Sequence, residues 1–161
     1  MLNRDLDASS FRSLMSGWIT GVAIITTVHA GRRFGIVCNS LTSVSLDPIL
    51  VSWCIDRNAG SFPHWVGTDA WAVHVLRGDQ EDLARRFLAK GVDRFTDLEF
   101  INSEEGLPLL ADVASLFIAR TTARHDAGDH VILVGEVTSY EDHIATPLTF
   151  IRGKFRPGPT P

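Results

Sequence analysis

Two polar segments of this 161-residue chain contain the residues best suited to hold a ligand. The first, residues 39–48 (NSLTSVSLDP), has four serines and threonines and no charged side chain before Asp47. Side-chain hydroxyls and backbone N–H groups can hydrogen-bond to the oxygens of a planar or anionic ligand. A solvent-exposed Ser/Thr loop would have the same composition, so the residues alone leave both interpretations open.

The second polar segment, residues 56–61 (DRNAGS), follows the next apolar strand along the chain. It adds Arg57, a candidate cation for a phosphate group. Because a single apolar strand separates the two segments, we expect them to lie at the same end of a β-barrel. There they would form two sides of one binding site.

Two histidines flank an acidic turn in HDAGDH, residues 125–130. Residues 126–129 predict a four-residue hairpin loop built around a type I turn, which would place His125 and His130 opposite each other. A metal site is one interpretation, but no third set of ligands accompanies the pair, and Asp and Gly are ordinary turn residues. A surface histidine, or a hydrogen-bonding group at the mouth of a site, explains the motif without a metal, and we expect none.

Composition excludes several classes of protein. The net charge of −4 and the pI of about 5.8 argue against nucleic acid as a partner. Cys38 and Cys54 lack CxxC spacing and are too few for a disulfide framework. The N-terminus has no signal-peptide core, and the longest apolar stretch, residues 19–28, is too short to span a bilayer. We therefore expect a cytoplasmic protein with no membrane partner, one domain over residues 1–156 and a disordered tail at 157–161.

The elements that must position these residues are mostly β-strands. Apolar and β-branched runs predict strands at 21–28, 34–38, 49–55, 71–76 and 148–155, and a hairpin from 115–125 and 130–140. Capping residues and helical spacing predict short helices at 7–16, 61–66 and 80–90, the last capped by Asp79. This order indicates an antiparallel barrel with added helices. A GxGxxG fingerprint is missing, so a nicotinamide cofactor would not lie in a Rossmann crevice.

Four stretches of the chain resemble, in the same order, the short-chain flavin reductases that serve two-component flavin-dependent monooxygenases. They extend from about Phe11 to Phe155: FRSLMSGWITGVAIITT, GIVCNSLTSVSLDPIL, GDHVILVGEV and PLTFIRGKF. The SLTSVSLDP run and the later GDH are specific in combination. The resemblance implies a mainly β fold with short helices, a Greek-key split β-barrel that binds FMN. It also implies a homodimer with flavin bound near the subunit interface.

The resemblance assigns most flavin contacts to the two polar segments. The residues that it places at the isoalloxazine and ribityl groups are Asn39, Ser40, Leu41 and Thr42. In the second segment, Asn58 and Ser61 would serve the ribityl and phosphate end. Four further positions complete the expected cofactor-binding set: Ser45, Asp56, Arg57 and Phe155.

His130 is the histidine of the GDH motif, and the resemblance places it beside the nicotinamide, which it would orient without transferring a proton. Three positions depart from the family pattern. Val37 stands where a threonine is frequent, and Ile49 replaces the second proline of DPP. Phe155 replaces a tyrosine, so it can stack but cannot hydrogen-bond. These departures leave the choice between FMN and FAD open.

The function that the resemblance implies is reduction of FMN or FAD by NADH or NADPH, with the reduced flavin passed to a separate monooxygenase. The cofactors supply the hydride chemistry, and the protein supplies orientation and electrostatics. One alternative is a flavin-binding or electron-transfer protein of the same fold without reductase activity. Another is an oxidase of the pyridoxamine-phosphate type, which needs a more basic phosphate site than Arg57 alone. The GDH histidine favours the reductase.

Overall fold

Strands dominate residues 7–160, the part of the chain that the computed structural model describes. The helices there are α1 (Ala8–Met15), α2 (Phe62–Val66) and α3 (Glu81–Leu88). The first strands are β1 (Thr20–Gly21), β2 (Ala23–His29), β3 (Arg32–Cys38), β4 (Thr42–Leu46), β5 (Ile49–Asp56) and β6 (Ala70–Val75). The later strands are β7 (Phe100–Asn102), β8 (Pro108–Leu110), β9 (Ser115–Ala127), β10 (His130–Asp142), β11 (Leu148–Ile151) and β12 (Lys154–Pro157). The mainly β prediction with short helices is confirmed.

A seven-stranded antiparallel sheet in the order β3-β2-β6-β9-β10-β5-β4 forms the body of the fold. Its edge strands β3 and β4 are consecutive in the chain, joined only by residues 39–41. Laid flat, seven strands at about 4.8 Å spacing would put those edges roughly 29 Å apart. The short connection spans at most about 14 Å. The sheet must therefore curl until its edges approach, and no pairing of β3 with β4 is seen within residues 7–160.

Three tryptophans fill the inside of the curled sheet. Trp53, Trp65 and Trp71 are fully buried, and the Trp53 ring meets the other two edge-on, at centroid distances of 5.1 and 6.0 Å. A second core lies between the outer face of the sheet and α3, where Phe87 packs directly over Gly35. A side chain at Gly35 would overlap the Phe87 ring, so this glycine sets how closely α3 approaches β3.

The prediction of a polar loop over residues 39–48 is wrong for residues 42–46. Residues 42–46 form β4, which pairs with β5 in the register Thr42↔Ser52 and Leu46↔Ile49, with a bulge between Ser43 and Ser45. β4 is an edge strand with four of its five residues exposed. It has no buried face, so the alternation of apolar and polar residues by which strands are recognised does not arise.

Two element ends also differ from prediction. Asp79 does not cap α3, because its carboxylate pairs with Arg77 at 2.7 Å, and Gln80 occupies the N-cap position. Pro157, predicted to begin the disordered tail, is the last residue of β12. The N–H of Gly158 then donates to the carbonyl of Pro147 at 2.7 Å. By contrast, α1 begins as predicted, with the Asp7 side chain accepting the first free N–H groups of the helix.

Candidate active site

A cleft of about 970 Å³ opens beside the first polar segment. Its walls come from the end of α1, from β1, from residues 39–42 and from the β11–β12 turn. All four predicted flavin-contact residues at 39–42 line it, together with Trp18, Thr20 and Phe150. A few polar groups converging in a partly apolar cleft of this size are typical of a small-molecule site.

Ser40 anchors the first polar segment to β5. Its Oγ accepts the backbone N–H of Cys54 at 3.0 Å and lies 3.3 Å from the Sγ of Cys38. Burial raises the pKa of the Cys38 thiol, so the sulfur stays neutral and is a weak acceptor. Within residues 7–160 the N–H groups of Ser40 and Leu41 donate to no oxygen. Both instead hydrogen-bond to the Cys38 thiol, a weak acceptor, so a ligand oxygen would compete only with sulfur for them.

Thr20, on β1, contributes a second unpaired polar group to the cleft. Its Oγ1 is buried and hydrogen-bonds to no described residue. A buried hydroxyl left unpaired costs roughly 1–3 kcal/mol, so a ligand oxygen or nitrogen that bonded to it would recover that free energy. β1 is two residues long and has no local sequence signal. Sequence reasoning therefore missed Thr20.

Trp18 and Phe150 are also functional candidates that residue patterns did not identify. Trp18 is 71% exposed although it lines the cleft, and Phe150 reaches it because β11 pairs with β1 in the register Thr20↔Phe150. The cleft thus combines aromatic surfaces with two backbone donors bound only to sulfur and an unpaired hydroxyl. An isoalloxazine ring has two flat faces and a polar edge, and this set of residues fits it.

The second polar segment is ordered by its own hydrogen bonds. The Oδ1 of Asp56 accepts the N–H of Asn58 at 2.7 Å, forming an Asx turn. Ser61 precedes α2, but its Oγ caps no N–H of the helix and instead accepts the indole N–H of Trp65 at 3.0 Å. The Asp56 carboxylate and the Ser61 oxygen are thus engaged as acceptors, while the Ser61 O–H can still donate.

Arg57 is held against the β9–β10 turn. Its guanidinium pairs with Asp126, and its Nε donates to the carbonyl of Gly128 at 3.3 Å. The guanidinium carbon also lies 5.8 Å from the centre of the Phe62 ring. A phosphate at Arg57 would share its charge with Asp126 or displace that carboxylate, which is 87% exposed.

The two polar segments meet at one end of the sheet. Ser40 contacts Cys54, two residues before β5 ends at Asp56. The expectation that both polar segments lie at one end of the sheet is confirmed for residues 39–41. The strand β4, which was not predicted, is what brings the two segments together. Two segments separated by one strand would lie at its opposite ends, whereas the antiparallel β4–β5 pair returns the chain to where it started.

The β9–β10 hairpin is tighter than predicted. Only Gly128 and Asp129 connect the strands, and Gly128 has a φ of +64°, so the loop has two residues rather than four. The register becomes His130↔Ala127 and His125↔Ile132. The expectation that His125 and His130 face each other is therefore wrong: each pairs with a different residue, and they are only diagonal neighbours on one face of the hairpin.

His130 lies at the mouth of this end of the sheet. Its backbone pairs with that of Asp56 at the end of β5, and its side chain is 40% exposed. Its Nδ1 is 2.7 Å from the Oδ1 of Asp129, and this hydrogen bond lowers the pKa of the Asp129 carboxyl. When Nδ1–H donates to that carboxylate, Nε2 is free to contact a ligand, because no described residue hydrogen-bonds to it.

Only residues 39–42 of the predicted cofactor-binding set line the cleft. The other six do not: Ser45, Asp56, Arg57, Asn58, Ser61 and Phe155. Ser45 is further along β4, where its Oγ accepts the N–H of Asp47 at 3.3 Å. Phe155 is 8% exposed and packs against Phe150 at a centroid distance of 5.3 Å, beneath the guanidinium of Arg85. It is thus placed to support Phe150 from behind.

Comparison with known proteins decides the family. Residues 15–159 match the sequence profile described as the flavin reductase like domain. The chain belongs to this family. The FMN reductase (NADH) SmoA of Agrobacterium fabrum is 37% identical to this flavin reductase-like chain over 149 residues, covering 92% of this chain and 85% of the relative. The monooxygenase reductase subunit HsaB of Mycobacterium tuberculosis is 31% identical over 157 residues, covering 96% and 84%.

Solved structures show that the flavin reductase-like chain has the split-barrel fold, as predicted. The NADH:FAD oxidoreductase SgcE6 of Streptomyces globisporus superposes with a TM-score of 0.92 at 31% identity, covering all of this chain and 98% of that one. The same protein with NAD and FAD fragments bound gives a TM-score of 0.90 at 32% identity, covering 97% and 95%.

The described residues contain neither a metal-binding cluster nor a membrane-spanning helix. Between Asp7 and Thr160, no group of three or more His, Cys, Asp or Glu side chains is arranged to hold a metal ion. Over the same range, no helix has the length and apolar character needed to cross a membrane.

Proposed function

We propose that this protein is an NAD(P)H:flavin oxidoreductase, which transfers hydride from NADH or NADPH to FMN or FAD and supplies the reduced flavin to a separate monooxygenase. The observation that carries the proposal is the position of residues 39–42. They lie within the region that matches the family and also line a cleft with the size and donor groups that a flavin needs. The relatives include an NADH-dependent FMN reductase and a monooxygenase reductase subunit.

The cleft residues would bind and orient the flavin, which supplies the hydride-accepting chemistry when bound. The N–H groups of Ser40 and Leu41 would donate to ring oxygens, which carry more negative charge in the reduced state. Thr20 would hydrogen-bond to the same edge or to the ribityl chain. Trp18 and Phe150 would cover the ring and exclude water.

His130 would position the nicotinamide. Its hydrogen bond to Asp129 would orient the ring and leave Nε2 available to the nicotinamide. Ser40 contacts Cys54 on β5, and His130 pairs with Asp56, two residues further along the same strand. A flavin bound at Ser40 and a nicotinamide bound at His130 would therefore be neighbours. Catalysis would come mainly from positioning, because hydride transfer needs the two reacting atoms roughly 3–3.5 Å apart.

A homodimer would cover the apolar surface that the single chain exposes. α1 buries none of its residues, and its apolar face includes Phe11 at 63% and Leu14 at 71% exposure. Leu46, in the β4–β5 hairpin, is 83% exposed. Exposed apolar side chains grouped on one element mark interaction surfaces. Light scattering should give twice the chain mass, and Leu14→Asp should lower it.

The cytoplasm is the proposed location. Both cysteines are free thiols, Cys38 being buried and Cys54 partly buried. Free thiols are usual where glutathione and thioredoxin keep proteins reduced. NADH and NADPH are also supplied in that compartment.

The experiment that tests the proposed function is turnover with free flavin. Purified protein is mixed with NADH or NADPH and with FMN or FAD, and nicotinamide oxidation is followed by absorbance. A reductase consumes nicotinamide only when flavin is present. A protein that binds flavin tightly but oxidises neither nicotinamide would instead be the electron-transfer or flavin-storage protein of the same fold.

A further inference from the structure

A second pocket, of about 610 Å³, lies between the β2–β3 turn, Ser61 and the segment that follows α3. Three arginines line it, Arg32, Arg33 and Arg94, against one carboxylate, Asp93. The whole chain has a net charge of −4, so this is a local concentration of positive charge on an acidic protein. Such a pocket attracts anions.

The first two arginines are presented by a rigid turn. Ala30 and Gly31 both have positive φ, 50° and 72°, and the register His29↔Arg32 makes this a two-residue hairpin. Neither Arg32 nor Arg33 forms a salt bridge with a carboxylate in the described part of the chain. Being consecutive on the edge strand β3, they lie on opposite sides of it, and the Arg33 guanidinium carbon is 4.7 Å from the centre of the Phe100 ring. Each can pair with a ligand at the sheet edge without first breaking an ion pair.

Arg94 is a fixed charge at the base of the pocket. Its Nη1 donates to the carbonyl of Gly35 at 2.6 Å, and its Nε and Nη2 donate to the carbonyl of Ala89 at 3.1 and 3.0 Å. These bonds satisfy part of the guanidinium but neutralise none of its charge. An anion in the pocket would meet a cation that is already oriented.

Apolar and aromatic groups stand beside the cations. The Phe34 ring is stacked on His64 at 4.0 Å with a 20° interplanar angle, and the Arg32 guanidinium carbon lies 5.7 Å from its centroid. Val92 and Phe95 complete the wall. Inorganic phosphate would use only the cations, whereas a nucleotide has both a phosphate for the arginines and a flat base for the apolar wall.

We propose that this pocket binds the adenylate part of a dinucleotide. Ser61 is shared by the pocket and by the second polar segment, which serves the phosphate end of the flavin under the proposed function on which this inference rests. FAD continues from that phosphate into an adenylate, so its far end would reach Arg32 and Arg33. NADH and NADPH carry the same group, and the two sources are separated by experiment.

The test compares the double variant Arg32→Gln/Arg33→Gln with wild type and with Arg77→Gln/Arg120→Gln. The control removes the same charge from arginines that are paired with Asp79 and Glu105 elsewhere. Calorimetry with 5′-AMP, fluorescence titration with FAD and FMN, and KM for NADH with FMN as acceptor are measured for each. We expect AMP to bind wild type and the control with equal affinity. Its affinity for the double variant should be lower by about tenfold or more.

The affinities for FAD and FMN and the KM for NADH show which dinucleotide supplies the adenylate. If FAD affinity falls with AMP affinity while FMN affinity stays within about twofold, the adenylate is that of FAD. If KM for NADH rises and FAD affinity does not change, it is that of the nicotinamide cofactor. Failure of AMP to bind wild type, or an equal loss for FMN and FAD, overturns the proposal. Absence of NADH turnover with intact AMP binding would instead contradict the proposed reductase function alone.

Discussion

The backbone N–H of Cys54 donates to the Oγ of Ser40 at 3.0 Å, linking residues 14 positions apart in the chain. This hydrogen bond joins the segment between the two edge strands of the sheet to the strand that leads into the second polar segment. It therefore fixes the wall of the cleft relative to β5 and to His130, which pairs with the end of β5.

Ser40→Ala should weaken flavin binding. The variant leaves the Cys54 N–H without its acceptor and frees residues 39–41 to move, so FMN affinity should fall by about 1–3 kcal/mol. Fluorescence titration of FMN measures the change. Ser43→Ala, an exposed serine on β4 outside the cleft, is the matched control and should bind as wild type. Unaltered FMN affinity in Ser40→Ala would remove the segment from the binding site.

Thr20→Val should act in opposite directions on the free and the flavin-bound protein. In the free protein it removes a buried hydroxyl that has no partner, so Tm should be unchanged or higher. If that hydroxyl hydrogen-bonds to the flavin, the rise in Tm caused by FMN should shrink. Thermal unfolding with and without FMN checks both. An FMN-induced rise equal to that of wild type would show that Thr20 makes no contact with the flavin.

His130→Ala should lower kcat/KM for NADH by roughly tenfold or more, because the nicotinamide loses its positioning group, while FMN affinity stays nearly the same. His125→Ala is the control, since His125 is exposed and lies diagonally across the same hairpin. Asp129→Asn should give a smaller loss by removing the carboxylate that orients the ring. Steady-state kinetics decide the matter: wild-type NADH kinetics in His130→Ala would exclude a role for this residue.

His74 should make stability depend on pH. Its Nδ1 lies 3.0 Å from the Ile24 carbonyl, and burial lowers its pKa to about 4. The unfolded chain, with an ordinary histidine pKa of about 6.5, binds the proton more tightly. His74 therefore gives the free energy of unfolding no pH dependence above about pH 6.5. As the pH drops from there towards 4, protonation of His74 in the unfolded chain lowers that free energy by up to roughly 3 kcal/mol.

Urea unfolding near neutral pH and near pH 4.5 measures this loss in wild type and in His74→Gln. Glutamine can still donate to the Ile24 carbonyl but does not titrate, so the variant should lose less stability between the two pH values. His125→Gln removes an exposed histidine and should behave as wild type. Equal losses in wild type and His74→Gln would assign the acid sensitivity to other groups.

Sequence patterns predicted the buried strands and the beginning of the capped first helix. Trp53 and Trp71 lie in apolar, β-branched runs and are fully buried, and α1 begins at the cap that its sequence predicts. β4 was missed because an edge strand that is exposed on both faces needs no apolar alternation. The hairpin length was wrong because Asp126 and Ala127 suit a turn and a strand end equally well. In the structure both residues belong to β9 and pair with β10.

The site was predictable only in part, because clefts are made by distant segments. Residues 39–42 could be identified by their hydroxyl-rich composition and by family resemblance. Thr20 and Trp18 reach the same cleft through the pairing of β1 with β11, which has no counterpart in local sequence. Arg57 is a suitable phosphate cation by type, yet its pairing with Asp126 became visible only in the folded hairpin.

The measurement that tests the central claim most directly is the anaerobic mixing of flavin-loaded protein with NADH, and separately with NADPH, followed by absorbance. We expect loss of the nicotinamide band and of the oxidised-flavin band in equal amounts, since one hydride passes from one ring to the other. His130→Ala should slow both losses together. Protein that retains oxidised flavin through prolonged exposure to both nicotinamides would contradict the assignment as a flavin reductase.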